Sequence, residues 1–106
     1  RYGSSAASDV YKRQAEERKW MDAIAEFGCV VCHRTMEVAS PPEIHHIHGK
    51  TEKDCHLNTI PLCYYHHRAG TDDLVATSRH PHKYRFERRY GTEADLLAYV
   101  KEMVNV

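Results

Sequence analysis

The sequence contains no apolar run near the roughly 20 residues needed to span a bilayer. It also shows no basic-then-apolar leader of the kind that sends a chain to an oxidising compartment. Both absences point to an intracellular, soluble protein whose cysteines have a use other than disulfides. An excess of one charge is missing too, since 15 Lys and Arg balance 15 Asp and Glu for a formal net charge of zero. Whole-chain electrostatics argues neither for nor against a polyanionic partner, so any nucleic-acid surface has to be local. Length is short as well. The 106 residues make one domain, and a chain of that size buries only about two thirds of the surface its unfolded form exposes. Its core needs reinforcement. No internal repeat occurs, and no low-complexity tract beyond the opening stretch.

What is abundant is metal-ligand chemistry. Nine histidines and four cysteines stand out, with Cys29, Cys32 and Cys63 next to histidine-rich segments. Residues 1–14 carry small and polar side chains without helical or strand period and read as a flexible leader. Their SSAASDVYKRQ string has the look of a cloning or library scar. The folded domain is then 15–106.

From Ala15 to Phe27, Trp20, Ala23, Ile24 and Phe27 recur at helical spacing while Glu16, Glu17, Arg18, Lys19 and Glu26 take the other face, an amphipathic helix ended by Gly28. After Cys29 to Cys32, a polar loop over about Arg34–Pro42 leads to Glu43–Ile47, whose alternation suits a strand. Gly49 to His56 is turn-like, Asn58 to Cys63 gives a second extended piece, and Tyr64 to Arg68 starts a helix. Pro81 is a good first-turn residue for a helix to about Tyr90, stopped by Gly91. Thr92 caps a last helix with Leu96, Leu97, Val100 and Val104 on one stripe and Glu93 and Asp95 near its positive end.

Cys29-x2-Cys32 and Cys63-x2-His66 are two ligand pairs about thirty residues apart, and a spacing of two lets one tight turn present both atoms to one ion. Four such ligands close a tetrahedral zinc site. Metal binding of this kind supplies on the order of 10–16 kcal/mol of folding free energy, which replaces the core the chain is too short to build. The competing readings are buried thiols that meet no metal, Cys55 as the fourth ligand, and His67 in place of its neighbour His66.

His45 and His46 stand together on the first predicted strand, where successive side chains point to opposite faces, so one can bind a metal while the other faces elsewhere. Taken in order, His46, Asn58 and His67 spell H, N, H. With CVVC, EIHHI, NTIPLC and a terminal HH, residues 28–68 resemble the HNH (ββα-metal) endonuclease family. The further run of IPLCYYHH, SRHP and FERRYG is similar more narrowly to the phage recombination-enhancement nucleases of the Ref type, RecA-dependent enzymes, over about residues 15–104.

That resemblance implies an α+β fold, a small ββα-metal core with a structural zinc and flanking helices. It implies a metal-dependent DNA endonuclease that hydrolyses phosphodiester bonds with one metal and a histidine base, directed by a RecA filament to a displacement loop. It gives His45 and His67 to the catalytic metal and His46 the role of general base. Asn58 would hold the ββ loop and orient that histidine. Many family members carry Asp where this chain has His45, and the all-histidine set suits zinc, nickel or copper whereas magnesium prefers oxygen. Mg2+, Mn2+ or Zn2+ are the candidate catalytic ions. His80, in the SRHP segment, is the candidate third ligand; its alternative is a surface histidine at a helix start, and His48, His56 and His82 read as solvated. DNA and a RecA filament are the implied partners, in the cytoplasm of a bacterial host carrying a phage or prophage.

Lys83, Arg85, Arg88 and Arg89 crowd one helix and with Arg79 form a candidate phosphate-binding face, while Phe86 and Tyr90 pack inward. The other reading is an ordinary solvated face, or a groove lined by Arg34, Lys50, Lys53 and Arg68. Nothing resembles a base-reading element, so sequence preference should be weak. The alternative for the whole chain is a non-catalytic, zinc-dependent nucleic-acid-binding module; a third is a site-specific HNH nickase or homing-type enzyme.

Overall fold

A computed structural model of the chain describes residues 2–49 and 56–104, with side chains from residue 11 onward. Five helices and two strands follow in the order α1 (Tyr2–Phe27), α2 (Val30–Met36), β1 (Glu43–His46), β2 (Thr59–Leu62), α3 (Tyr64–His67), α4 (Lys83–Tyr90) and α5 (Glu93–Val104). The class is α+β, as the sequence implies, and β1, β2 and α3 form its strand, strand, helix centre.

Helix α1 begins at Tyr2, well before Ala15, so the stretch read as a flexible leader without helical period is helical here. Lys12, Arg13 and Gln14, which join that stretch to the packed part, are good helix formers. The packed part is as the pattern predicts. Trp20 and Ile24 are buried, and the Trp20 indole Nε1 donates to Thr59 Oγ1 at 2.9 Å, tying α1 to β2. Gly28 ends the helix at φ 88°, and a Cβ there would meet the Ser40 carbonyl oxygen at 3.0 Å.

The segment after Gly28 is a short helix where the sequence suggested a turn and loop, because the first cysteine caps it. Cys29 is the N-cap of α2, its sulfur accepting from the Cys32 N–H at 3.4 Å. Two valines of low helix propensity hid this element, yet both are buried in the core.

Strands β1 and β2 pair antiparallel with Glu43 opposite Leu62, Ile44 opposite Pro61, His45 opposite Ile60 and His46 opposite Thr59. The Ile47 N–H extends the ladder to the Asn58 carbonyl at 3.0 Å. All of β2 is buried, between α1, α2, α5 and α3. Helix α4 starts at Lys83 rather than Pro81, whose peptide bond with His80 is cis. Thr92 caps α5 as expected, its Oγ1 accepting from the Asp95 N–H at 3.1 Å, and Leu96 and Val100 are fully buried. Among the described residues, no helix is long and apolar enough to cross a membrane.

Candidate metal centres

Both predicted pairs around the first cluster converge. Cys29 and Cys32 open α2, Cys63 and His66 bracket the start of α3, and all four are buried. The Cys32 and Cys63 sulfurs are 3.8 Å apart, and His66 Nδ1 lies 3.6, 3.5 and 3.2 Å from the sulfurs of Cys29, Cys32 and Cys63. A tetrahedral zinc, with bonds of about 2.3 Å to sulfur and about 2.0 Å to nitrogen, demands sulfur–sulfur and sulfur–nitrogen separations of about 3.8 and 3.5 Å. The donors fit that ion. Their side chains already interact: the hydrogen bond to Cys63 and burial push the Cys29 thiol up, burial pushes Cys32 up, and the bond from Cys29 holds Cys63 down at about 3. Cys55, Lys50 and Lys53 lie outside the described residues.

A second set gathers on the other side of α3. His45, His67 and His80 place one nitrogen each within 4.8 Å of the others. Their ring centroids are 5.1, 5.2 and 5.2 Å apart, an almost equilateral triangle. His45 is buried, His67 half-buried and His80 exposed, so the triangle opens onto a cleft of about 450 Å³ lined also by His46 and Arg79. A closed four-donor set beside an open three-donor set is the contrast that separates structural from catalytic metal sites.

Sequence distance hides why His80 belongs here. The carbonyls that end α3 have no partners within the helix. Ser78 Oγ donates to Tyr65 O at 2.6 Å, the Arg79 N–H to His66 O at 2.9 Å and the His80 N–H to His67 O at 2.8 Å. That backbone pairing sets His80 beside His67. Desolvation by the surrounding protein and the positive charge of Arg79 pull the His80 pKa below the usual histidine value, favouring the neutral ring a metal requires.

Two carboxylates that the sequence did not single out for the site stand behind it. His67 Nδ1 is 2.8 Å from Glu43 Oε1, and His45 Nε2 is 3.1 Å from Glu93 Oε2. Glu43 shares the strand face of His45, a period-2 signal that was there to be used. Glu93 had no such signal; it looked like a first-turn acid serving the helix dipole, yet it is buried and paired with His45 and Arg79. Burial opposes its charge, but those hydrogen bonds outweigh burial and hold its carboxyl at about 2.

His46 also reaches the cleft, and its Nε2 lies 3.2 Å from His56 Nδ1, a partner that sequence reading took for a solvated residue. Asn58 braces the ββ connection through its backbone carbonyl rather than through a described side-chain bond.

Of the candidate phosphate-binding side chains, three are committed to the fold. Arg79 holds Glu93, Arg85 holds Asp72, and Arg89 donates to the carbonyls of Asp73 and Leu74 and to Thr77 Oγ1. Lys83 and Arg88 are exposed and, among the described residues, make no ion pair. Phe86 and Tyr90 pack inward as predicted, their ring centroids 5.1 Å apart. The braced 71–78 loop carries Leu74 and Val75 at its tip, 97 % and 84 % exposed.

Compared with known families, the chain matches, over residues 13–105, the model described as recombination enhancement, RecA-dependent nuclease.

Proposed function

Because the chain belongs to the recombination-enhancement, RecA-dependent nuclease family, we propose that it is an HNH-type DNA endonuclease using one divalent ion and a histidine base. Membership makes it a nuclease acting in recombination; the ion, the base and the residue roles are the finer reading. The observation that carries it is the open triangle of His45, His67 and His80 with His46 on the same cleft.

Phosphodiester hydrolysis needs an in-line water, neutralisation of the phosphate and stabilisation of the leaving 3′ oxygen. A divalent ion, when bound, supplies the last two. His45, His67 and His80 would hold it, and an all-imidazole set fits zinc, nickel or copper better than magnesium. His46 accepts the proton of the attacking water, a contribution of about 10²–10⁴-fold, with His56 keeping its ring in place. The ladder bond between Ile47 and Asn58 fixes the turn that follows His46. Cys29, Cys32, Cys63 and His66 hold a structural zinc. Lys83 and Arg88 are the basic side chains best placed to meet DNA phosphates, and the family description implies a RecA filament as the partner that directs the cut.

The test is plasmid nicking by wild type and His46→Ala, each across magnesium, manganese and zinc with a chelator control, with and without an activated RecA filament, alongside zinc content. Metal-dependent cutting by wild type and none by a folded, zinc-loaded mutant supports the reading. A folded, zinc-loaded wild type that cuts under none of these conditions is instead a zinc-stabilised nucleic-acid-binding module.

A further inference from the structure

We infer that Glu43 and Glu93 are positioning residues that fix His67 and His45 as opposite tautomers, so that His67 presents Nε2 and His45 presents Nδ1 to the metal. The inference rests on the reading of these histidines as ligands of the catalytic ion.

A carboxylate can only accept, so a ring nitrogen at hydrogen-bond distance from one must carry the hydrogen. Glu43 lies 2.8 Å from His67 Nδ1, which in the singly protonated ring that a metal binds leaves Nε2 with the lone pair; Glu93 lies 3.1 Å from His45 Nε2, which in the same form leaves Nδ1 with it. Each carboxylate also has its own arginine. Arg68 forks onto Glu43, Nε to Oε1 at 2.9 Å and Nη2 to Oε2 at 2.8 Å. Arg79 takes Glu93 Oε1 while His45 takes Oε2, so both oxygens of that buried side chain are engaged. The arginine balances the carboxylate's charge and locks its rotamer, and the carboxylate in turn orients the imidazole. Two His–Glu–Arg chains of the same kind thus converge from β1 and α5 on one triangle. Partners of this sort tune metal affinity by about 10–100-fold.

The chains differ in burial. Glu93 and His45 are 5 % and 4 % exposed at the side chain, Glu43 is 30 % and Arg68 59 %. The Glu93 clamp therefore has the larger effect, and the Glu43 clamp is the one that can be removed without threatening the core.

The experiment combines nitrogen-detected imidazole spectra of the one-zinc protein with titration of a second ion, zinc and manganese in turn, into wild type, Glu43→Ala and Glu93→Ala. In wild type, His67 is expected with its hydrogen on Nδ1, the minority form of free histidine, and His45 with its hydrogen on Nε2. Glu43→Ala, which leaves no acceptor for Nδ1–H, should release His67 towards the Nε2–H form and weaken second-ion binding about 10-fold, and Glu93→Ala nearer 100-fold. Should Glu93→Ala not fold, Glu43→Ala alone decides. A His67 that keeps its tautomer in Glu43→Ala, or second-ion affinity unchanged in that variant, overturns the inference. Wild type with the stated tautomers but no second ion bound overturns the catalytic-metal reading instead.

Discussion

His66 and His67 share one peptide bond and turn to two different sets of donors, His66 Nδ1 lying 3.2 Å from Cys63 Sγ and His67 Nδ1 lying 2.8 Å from Glu43 Oε1. The helix that carries both is four residues long, too short to persist alone. The direction of His67 depends on what holds its neighbour.

With an ion held by Cys29, Cys32, Cys63 and His66 as proposed, its removal should cost the fold and the cleft together. Metal binding is worth on the order of 10–16 kcal/mol in comparable sites, as much as the whole net stability of a small domain. Strong chelation, or Cys63→Ser, is expected to abolish the cooperative thermal melt followed by circular dichroism. A chelated protein that still melts cooperatively contradicts the structural role.

Substitutions at the neighbouring strand histidines should separate. His46→Ala is expected to lower cleavage about 10²–10⁴-fold while metal content stays at the wild-type value. His45→Ala should lose the second ion as well as the activity, and leaves the buried Glu93 carboxylate with Arg79 but without its imidazole partner. Equal metal loss in both variants would remove the distinction between base and ligand.

Acid should switch cleavage off through His46. A general base takes up a proton only while it is unprotonated, so cleavage should fall in acid. Glu93 does not contribute to that limb. Its depressed carboxyl, at about 2, gives stability in full above its unfolded value of about 4.3 and loses it only as pH falls towards 2. A pH–rate profile at saturating manganese that shows no acid limb in wild type rules out His46 as the base.

Basic residues on and around α4 should divide into two groups. Lys83→Ala and Arg88→Ala are expected to weaken DNA binding and each to reduce the log affinity–log salt slope by about 1. Arg85→Ala and Arg89→Ala, whose guanidinium groups hold the 71–78 loop, should leave that slope unchanged and instead lower stability slightly. Salt-series binding and denaturant melts on the four variants give both readouts.

Much of this geometry was legible beforehand because ligand chemistry dictates spacing. Two residues between donors placed Cys29 with Cys32 and Cys63 with His66, and the H, N, H order pointed to β1, β2 and α3. His80 was reachable only through the SRHP resemblance, since the backbone bonds that dock 78–80 onto α3 leave no mark on composition. Glu93 was misjudged for a related reason: an acid in the first turn of a helix has a sufficient local explanation, and nothing local reveals that His45 sits against it. Counting arginines on α4 likewise could not foresee that Asp72, Asp73 and Thr77 would claim two of them. Helix α2 was missed because valines argue against a helix that a cysteine N-cap and burial then impose.

The 71–78 loop leaves and rejoins the body at fixed points, with the Ser78 N–H on Thr71 O at 2.7 Å and Asp72 bridged to Thr77. Its tip is thereby mechanically insulated from His80, the next residue but one. Residues spliced between Leu74 and Val75 would disturb the turn that Asp73 Oδ1 makes with the Val75 and Ala76 N–H groups, at the far end of the loop from the imidazole, and each doubling of such an insertion costs only about 0.6 kcal/mol more in closure entropy. Added length in this loop thus falls on its exposed tip and not on the three histidines.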